Sequence, residues 1–147
     1  MKVDIIITRP GLHSDALPAV LDDLVKLLFS DGFLVAELMR SGGGTHWQGC
    51  SQLENGRWRR IDFLLIPYDE LGAALIYFTG NDIFNRSLRL LASKKGLRLN
   101  QKGLFKDVMR GPKRVKATEG TRIASKTEQE IFDVLGLKWR PPSERVC

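Results

Sequence analysis

The apolar positions of this chain change period several times, and each change marks an element. Val3-Asp4-Ile5-Ile6-Ile7-Thr8 is short and β-branched, which predicts a strand, closed by Pro10-Gly11. Leu17, Val20, Leu21, Leu24, Leu27 and Leu28 then recur at helical spacing up to Asp31-Gly32, with Ser14 and Asp15 as candidate caps. Phe33 to Met39 returns to a strand pattern, and Ser41-Gly42-Gly43-Gly44 reads as a loop. Trp47 to Leu53 and Trp58 to Ile66 predict two further strands joined by the turn signal Glu54-Asn55-Gly56. One helix among several strands predicts an α+β lobe with that helix against a small sheet.

Beyond Pro67 the pattern becomes helical. Asp69 to Phe78 and Asn81 to Lys95 predict two helices, the second stopped by Gly96 at the position glycine favours after a helix. Residues 97 to 124 break into short extended pieces, which predict a small sheet. Thr127-Glu128-Gln129-Glu130 has the form of a capping box opening a helix through Leu135, with Gly136 ending it and Pro141-Pro142 turning the tail. The expected division is therefore 1–66 for the sheet lobe and 67–147 for a helical lobe with its own small sheet.

Composition narrows the function classes. The 147 residues are 43% hydrophobic, enough for a packed core, and no apolar run reaches the ~18 residues of a membrane span. Two cysteines, Cys50 and Cys147, make no disulfide framework and suit a reducing compartment. The net charge of +6 favours polyanionic partners, nucleic acid first, and the excess gathers in Arg57-Trp58-Arg59-Arg60, Lys94-Lys95, Arg98 and the segment 110–116.

Several residues carry candidate chemistry. Asp4 and Asp62 each stand in a strand among apolar neighbours, so each is either a solvent-facing acid or one of a pair of hard oxygen ligands for Mg²⁺ on adjacent strands. Arg60 faces the same way as Asp62 and is either a solvated strand end or a phosphate contact. On the second helix of the later lobe, positions 82, 85, 86, 89 and 93 form one stripe, opposite Phe84, Leu88, Leu91 and Ala92. Amphipathic packing explains that spacing. It does not explain the preceding Tyr77-Phe78-Thr79-Gly80, where an aromatic pair and a residue permitting close backbone approach suit a planar, sugar-bearing ligand. His46 and Cys50 are half of a metal set with no second half, and Trp139 reads as packing.

Taken in order, Arg59-Arg60-Ile61-Asp62, Tyr77-Phe78-Thr79-Gly80, Phe84-Asn85-Arg86-Ser87, Glu128-x-Glu130-Ile131-Phe132-x-x-Leu135-Gly136 and Pro141-Pro142-x-Glu144-Arg145 resemble the C-terminal palm and thumb of family X DNA polymerases. Tyr77-Phe78 places the resemblance nearer the beta and lambda branch, a fungal polymerase IV type included. It implies a palm over 1–66, with a small mixed β-sheet and incomplete at its start, and a thumb over 67–147. The implied activity is template-directed, gap-filling nucleotidyl transfer in DNA repair and end joining, in the nucleus, by a monomer. The implied partners are gapped or primer-template DNA and a deoxynucleoside triphosphate, with Mg²⁺ or Mn²⁺ in the parent enzyme.

By position, the resemblance makes Asp62 and Asp4 catalytic, metal-binding acids and sets Arg60 near the primer end. Tyr77 and Phe78 lie under the incoming sugar, Gly80 begins a cis peptide with Asn81, Asp82 stands beside the incoming base, and Asn85 reads the minor groove. Arg86 and Arg89 contact the template. One departure stands out. Where the family has the first aspartate of an Asp-x-Asp pair, this chain has Lys2, on the same strand face as Asp4. An ammonium there repels the metal. Two expectations follow: a piece of a longer polymerase, inactive alone, or a naturally shortened, inactive relative. A non-catalytic DNA-binding module and a protein-interaction domain are the competing classes.

Overall fold

A computed structural model describes residues 2–107 and 120–145. The chain divides into two compact units, residues 1–68 and 69–147. The basic segment 110–116 falls outside the described residues.

In the first unit, β1 (Lys2–Ile7), β2 (Leu34–Ser41), β3 (His46–Ser51) and β4 (Arg59–Leu65) form one sheet in the order β1-β4-β3-β2. β1 runs parallel to β4 and the other pairs are antiparallel, so the sheet is mixed, as the resemblance to a palm implies. Helix α1 (Leu17–Ser30) covers one face. Alternation along β4 explains why: Ile61, Phe63 and Leu65 join Leu21 and Val25 of α1 in the core, while Arg60 and Asp62 turn the other way. Burying one such aliphatic or aromatic side chain contributes about 1.5–3 kcal/mol.

Trp47 lies at the centre of this core, fully buried and stacked on Phe63 with centroids 5.4 Å apart, and its Nε1 donates to Glu37 Oε1 at 2.5 Å. Gly49, two residues on, makes room for the indole; a methyl group there would overlap the ring and the Ala36 carbonyl.

The start of α1 departs from expectation. Ser14–Ala16 forms a separate 3₁₀ turn, the cap position is Ala16, and neither Ser14 nor Asp15 caps the helix. Pro18 accounts for this in part, because it takes a first-turn position whose N–H would otherwise need a cap.

The second unit contains α2 (Leu71–Thr79), α3 (Asp82–Lys94), α4 (Glu128–Val134) and an antiparallel sheet of β5 (Arg98–Asn100), β6 (Gly103–Lys106) and β7 (Thr121–Ala124). Ile76, Phe84, Leu88, Leu104, Ile131 and Phe132 lie at its core. The predicted capping box is present: Thr127 Oγ1 accepts from the Glu130 N–H at 3.2 Å, and Glu130 Oε1 accepts from the Thr127 N–H at 3.1 Å.

α2 lacks a side-chain cap, and the segment ahead of α4 replaces it. The Gly72 and Ala73 N–H groups donate to the Lys126 and Ser125 carbonyls, each at 3.1 Å. These are donors that a helix start leaves open. The contact needs glycine at 72, because a Cβ would collide with the Thr127 backbone.

Gly72→Ala is therefore expected to destabilise the second unit by about 1–3 kcal/mol, the usual cost of overfilling a packed site. Chemical unfolding followed through that unit's amide exchange would measure it, and unchanged stability would mean that α2 and the 125–127 segment are not locked together.

Candidate nucleic-acid interface

Strand register builds a cluster on the open face of the first sheet. Asp4 stands opposite Asp62 across the parallel β1–β4 pair, and Gln48 stands opposite Asp62 across β3–β4. The predicted pairing of the two acids on adjacent strands is thus present, but their environments differ. Asp62 is fully buried, whereas the Asp4 side chain is 47% exposed.

Four side chains converge on the Asp62 carboxylate. Arg60 donates to Oδ1 at 3.2 Å; Gln48 donates to Oδ2 at 3.2 Å; His46 Nε2 lies 3.4 Å from Oδ2; and Lys2 Nζ lies 3.4 Å from the same oxygen. Lys2 Nζ is also 3.5 Å from Asp4 Oδ1, so one ammonium bridges both acids. Gln48 is a partner that the sequence pattern did not single out, and His46 stands there only as half of a metal set. Their signal was available in strand alternation, but only once β3 is known to pair with β4.

Burial alone would push the Asp62 carboxyl up. Hydrogen bonds from Arg60, His46 and Lys2 outweigh it and hold the group below the usual carboxylate range. Lys2 moves the other way: its hydrogen bond to Asp62 first, then the charges of Asp62 and Asp4, hold the ammonium protonated above the usual lysine range.

The second unit presents the other candidate surface. α2 ends at Gly80 (φ 72°), the Gly80–Asn81 peptide is cis, and Asn81 caps α3 by accepting from the Phe84 N–H at 2.9 Å. Tyr77 and Phe78 are both partly exposed, their rings edge to face at 4.9 Å. Asn85 Nδ2 donates to the Tyr77 carbonyl at 2.9 Å, which ties the α3 stripe to the end of α2, and Asn85 Oδ1 is buried without a hydrogen-bond partner among the described residues.

Tyr77, Asn85, Arg89 and Asn100 line one small pocket with Ala73, Ile76 and Leu99. Arg86, Arg89 and Asp82 are exposed, and none has an ion pair among the described residues. Phe84, Leu88 and Ala92 face the core, so the stripe is the free side of the helix.

Arg145 anchors this surface from below, a role that its place in the Pro141-Pro142-x-Glu144-Arg145 motif does not by itself reveal. It is buried, donates to Glu128 Oε2 at 2.6 Å and to the Arg140 carbonyl at 2.9 Å, and its guanidinium lies over Phe132 and Trp139. Its own carbonyl accepts the Asn81 N–H at 3.3 Å, which fixes the turn into α3. Trp139 packs as expected, against this guanidinium.

The pH dependence of stability follows from the sign of each shift. The depressed Asp62 carboxyl contributes stability that is present above its unfolded value near 3.8 and is lost as pH falls through the lower folded value. The raised Lys2 contribution is present below 10.5 and lost as pH rises through the higher folded value. Asp62→Asn is expected to cost about 1–3 kcal/mol at pH 7, the range for charge-assisted hydrogen bonds. The difference from the parent chain should shrink below about pH 4. Denaturation at stepped pH checks this, and a constant gap down to pH 2 would refute it.

Comparison with known proteins agrees with this geometry. Residues 2–68 match the family model described as DNA polymerase beta palm, and residues 74–146 match DNA polymerase beta thumb. DNA polymerase lambda of Rattus norvegicus is 36% identical over 148 residues, covering 97% of this chain and 26% of the relative. DNA polymerase lambda of Arabidopsis thaliana is 36% identical over 154 residues, covering 97% of this chain and 28% of the relative. DNA polymerase IV of Saccharomyces cerevisiae is 38% identical over 87 residues, covering 59% of this chain and 13% of the relative. The chain spans 26% to 28% of the length of the lambda relatives it matches. It belongs to the beta-type, family X DNA polymerases, and its two units are a palm and a thumb of that family.

Proposed function

We propose that this chain is the palm and thumb part of a template-directed DNA polymerase that fills short gaps during repair and end joining in the nucleus, acting as a monomer. Its substrates are gapped or primer-template DNA and a deoxynucleoside triphosphate. The observation that carries the reading is the free α3 stripe. Arg86 and Arg89 have no ion pair among the described residues and share the stripe with Asn85, which bonds the Tyr77 carbonyl, and a surface of this kind suits a phosphate backbone and the edge of a base pair.

Within that reading Tyr77 and Phe78 lie under the incoming sugar, with Gly80 allowing close approach. Asp82 and Asn85 face the incoming nucleotide, and Arg86 and Arg89 hold the template strand. Arg60 takes the primer end, and Arg145 positions the α3 turn without touching DNA.

The parent would use Mg²⁺ or Mn²⁺ at Asp4 and Asp62, but these residues as they stand do not fit a divalent ion. The Lys2 ammonium contacts both carboxylates, Asp62 already has three further polar partners, and among the described residues no group of three His, Cys, Asp or Glu is placed to hold a metal. Mg²⁺ needs carboxylate oxygens free to coordinate, and a cation beside them opposes it. The chain by itself is therefore proposed to be inactive in nucleotide addition while retaining DNA contacts.

Binding of single-nucleotide-gapped DNA, measured by anisotropy over a salt series, tests this. Arg86→Gln and Arg89→Gln should each weaken binding and each lower the salt slope by about 0.9. Wild-type affinity and slope in both variants would overturn the template contact proposed for the α3 stripe. Robust Mg²⁺-dependent nucleotide addition by the chain would overturn its inactivity.

A further inference from the structure

Arg57-Trp58-Arg59-Arg60 is a basic stretch that the palm and thumb roles leave mostly unused. Arg60 turns onto Asp62, while the three residues ahead of it have no part in the acidic cluster. Trp58 immediately precedes β4 and is 59% exposed.

The other two tryptophans are accounted for. Trp47 is buried on Phe63, and Trp139 donates to Glu128 and lies against Arg145. No ring or guanidinium among the described residues packs on Trp58. A single exposed apolar residue is ordinary, so its exposure alone names no function. Its neighbours make the difference. Arg57 and Arg59 flank it, both exposed, and neither has a carboxylate partner among the described residues.

The base of this tip is also well tied. Gly56 N–H donates to the Leu53 carbonyl at 2.8 Å, Gln52 Nε2 donates to the Gly56 carbonyl at 3.0 Å, and the Gln52 N–H donates to the Phe33 carbonyl at 2.8 Å. Arg59 pairs with Ser51 at the first rung of the β3–β4 ladder. The indole and its two cations therefore stand on an anchored turn, and less conformational freedom is lost when a ligand arrives.

We propose that Trp58, with Arg57 and Arg59, is a stacking contact for an unpaired nucleotide of single-stranded DNA. The indole takes the face of the base and the two guanidiniums take the flanking phosphates. Every base has a π-face, so such a contact tolerates any sequence, and planar guanidinium suits phosphate better than a point charge does. A membrane surface would be met by a broader apolar face than one ring offers. The inference rests on the DNA-binding reading above for its choice of polyanion, although it uses a different unit and different residues.

The test is anisotropy of a labelled oligothymidylate of about eight nucleotides, within the span that one such platform covers. Trp58→Ala should weaken binding by about tenfold or more, Trp58→Phe much less, and the Arg57→Gln/Arg59→Gln pair should lower the salt slope by about 1.4. A blunt duplex of equal length should show less than about a twofold change on Trp58→Ala, since its bases are already stacked. Because Trp58 is exposed, the variant's melting midpoint should match the parent's.

Absence of oligothymidylate binding by the parent chain, or equal binding by Trp58→Ala, overturns the proposal. So does an equal loss on duplex and single strand, or a Trp58→Ala defect seen only on anionic vesicles. Arg86 and Arg89 variants measured on gapped DNA keep the two readings separable. If those lose affinity while Trp58→Ala loses none on the oligothymidylate, the stacking contact fails and the DNA contact of the α3 stripe stands.

Discussion

A fully buried carboxylate governs the first unit. Removing an ion from water costs several kcal/mol, and that cost is offset only by partners with good geometry. Asp62 finds its partners on three strands: Lys2 on β1, His46 and Gln48 on β3, and Arg60 on β4 itself. The register of β1, β3 and β4 is therefore bound to one residue. A slip of a single position would carry apolar β4 residues onto the open face and leave this charge without its donors.

The same residue ties the fold to the chain's departure from its family. The two carboxylates of Asp62 and Asp4 are balanced by two cations, the Lys2 ammonium that touches both and the Arg60 guanidinium on Asp62. A carboxylate at position 2 would add charge to an acid pair that the present fold keeps neutral.

Much of this was legible in the sequence. The helices, the α3 stripe and the capping box at Thr127 all follow from local spacing, because local interactions specify them. What escaped was non-local. His46 and Gln48 reach Asp62 only through the β3–β4 pairing, and Arg145 is buried because its guanidinium meets Glu128 across 17 residues of chain. The unused caps at Ser14 and Asp15 show a different limit: a correct residue type was present, but a 3₁₀ turn and Pro18 satisfied the helix start another way. The charge conflict at Lys2 was visible from strand alternation, while the bridge it makes between the two acids depended on the register.

The central claim is that the thumb of this chain still meets a base pair although its palm cannot hold the metal. Residue-resolved NMR of the labelled chain, titrated with single-nucleotide-gapped DNA and then with the matching nucleotide, tests it most directly. Perturbations gathered at Tyr77, Gly80, Asn85, Arg86 and Arg89, and strengthened by the nucleotide, are the predicted result. Changes scattered over surface lysines and arginines, erased by modest salt and indifferent to nucleotide, would contradict it.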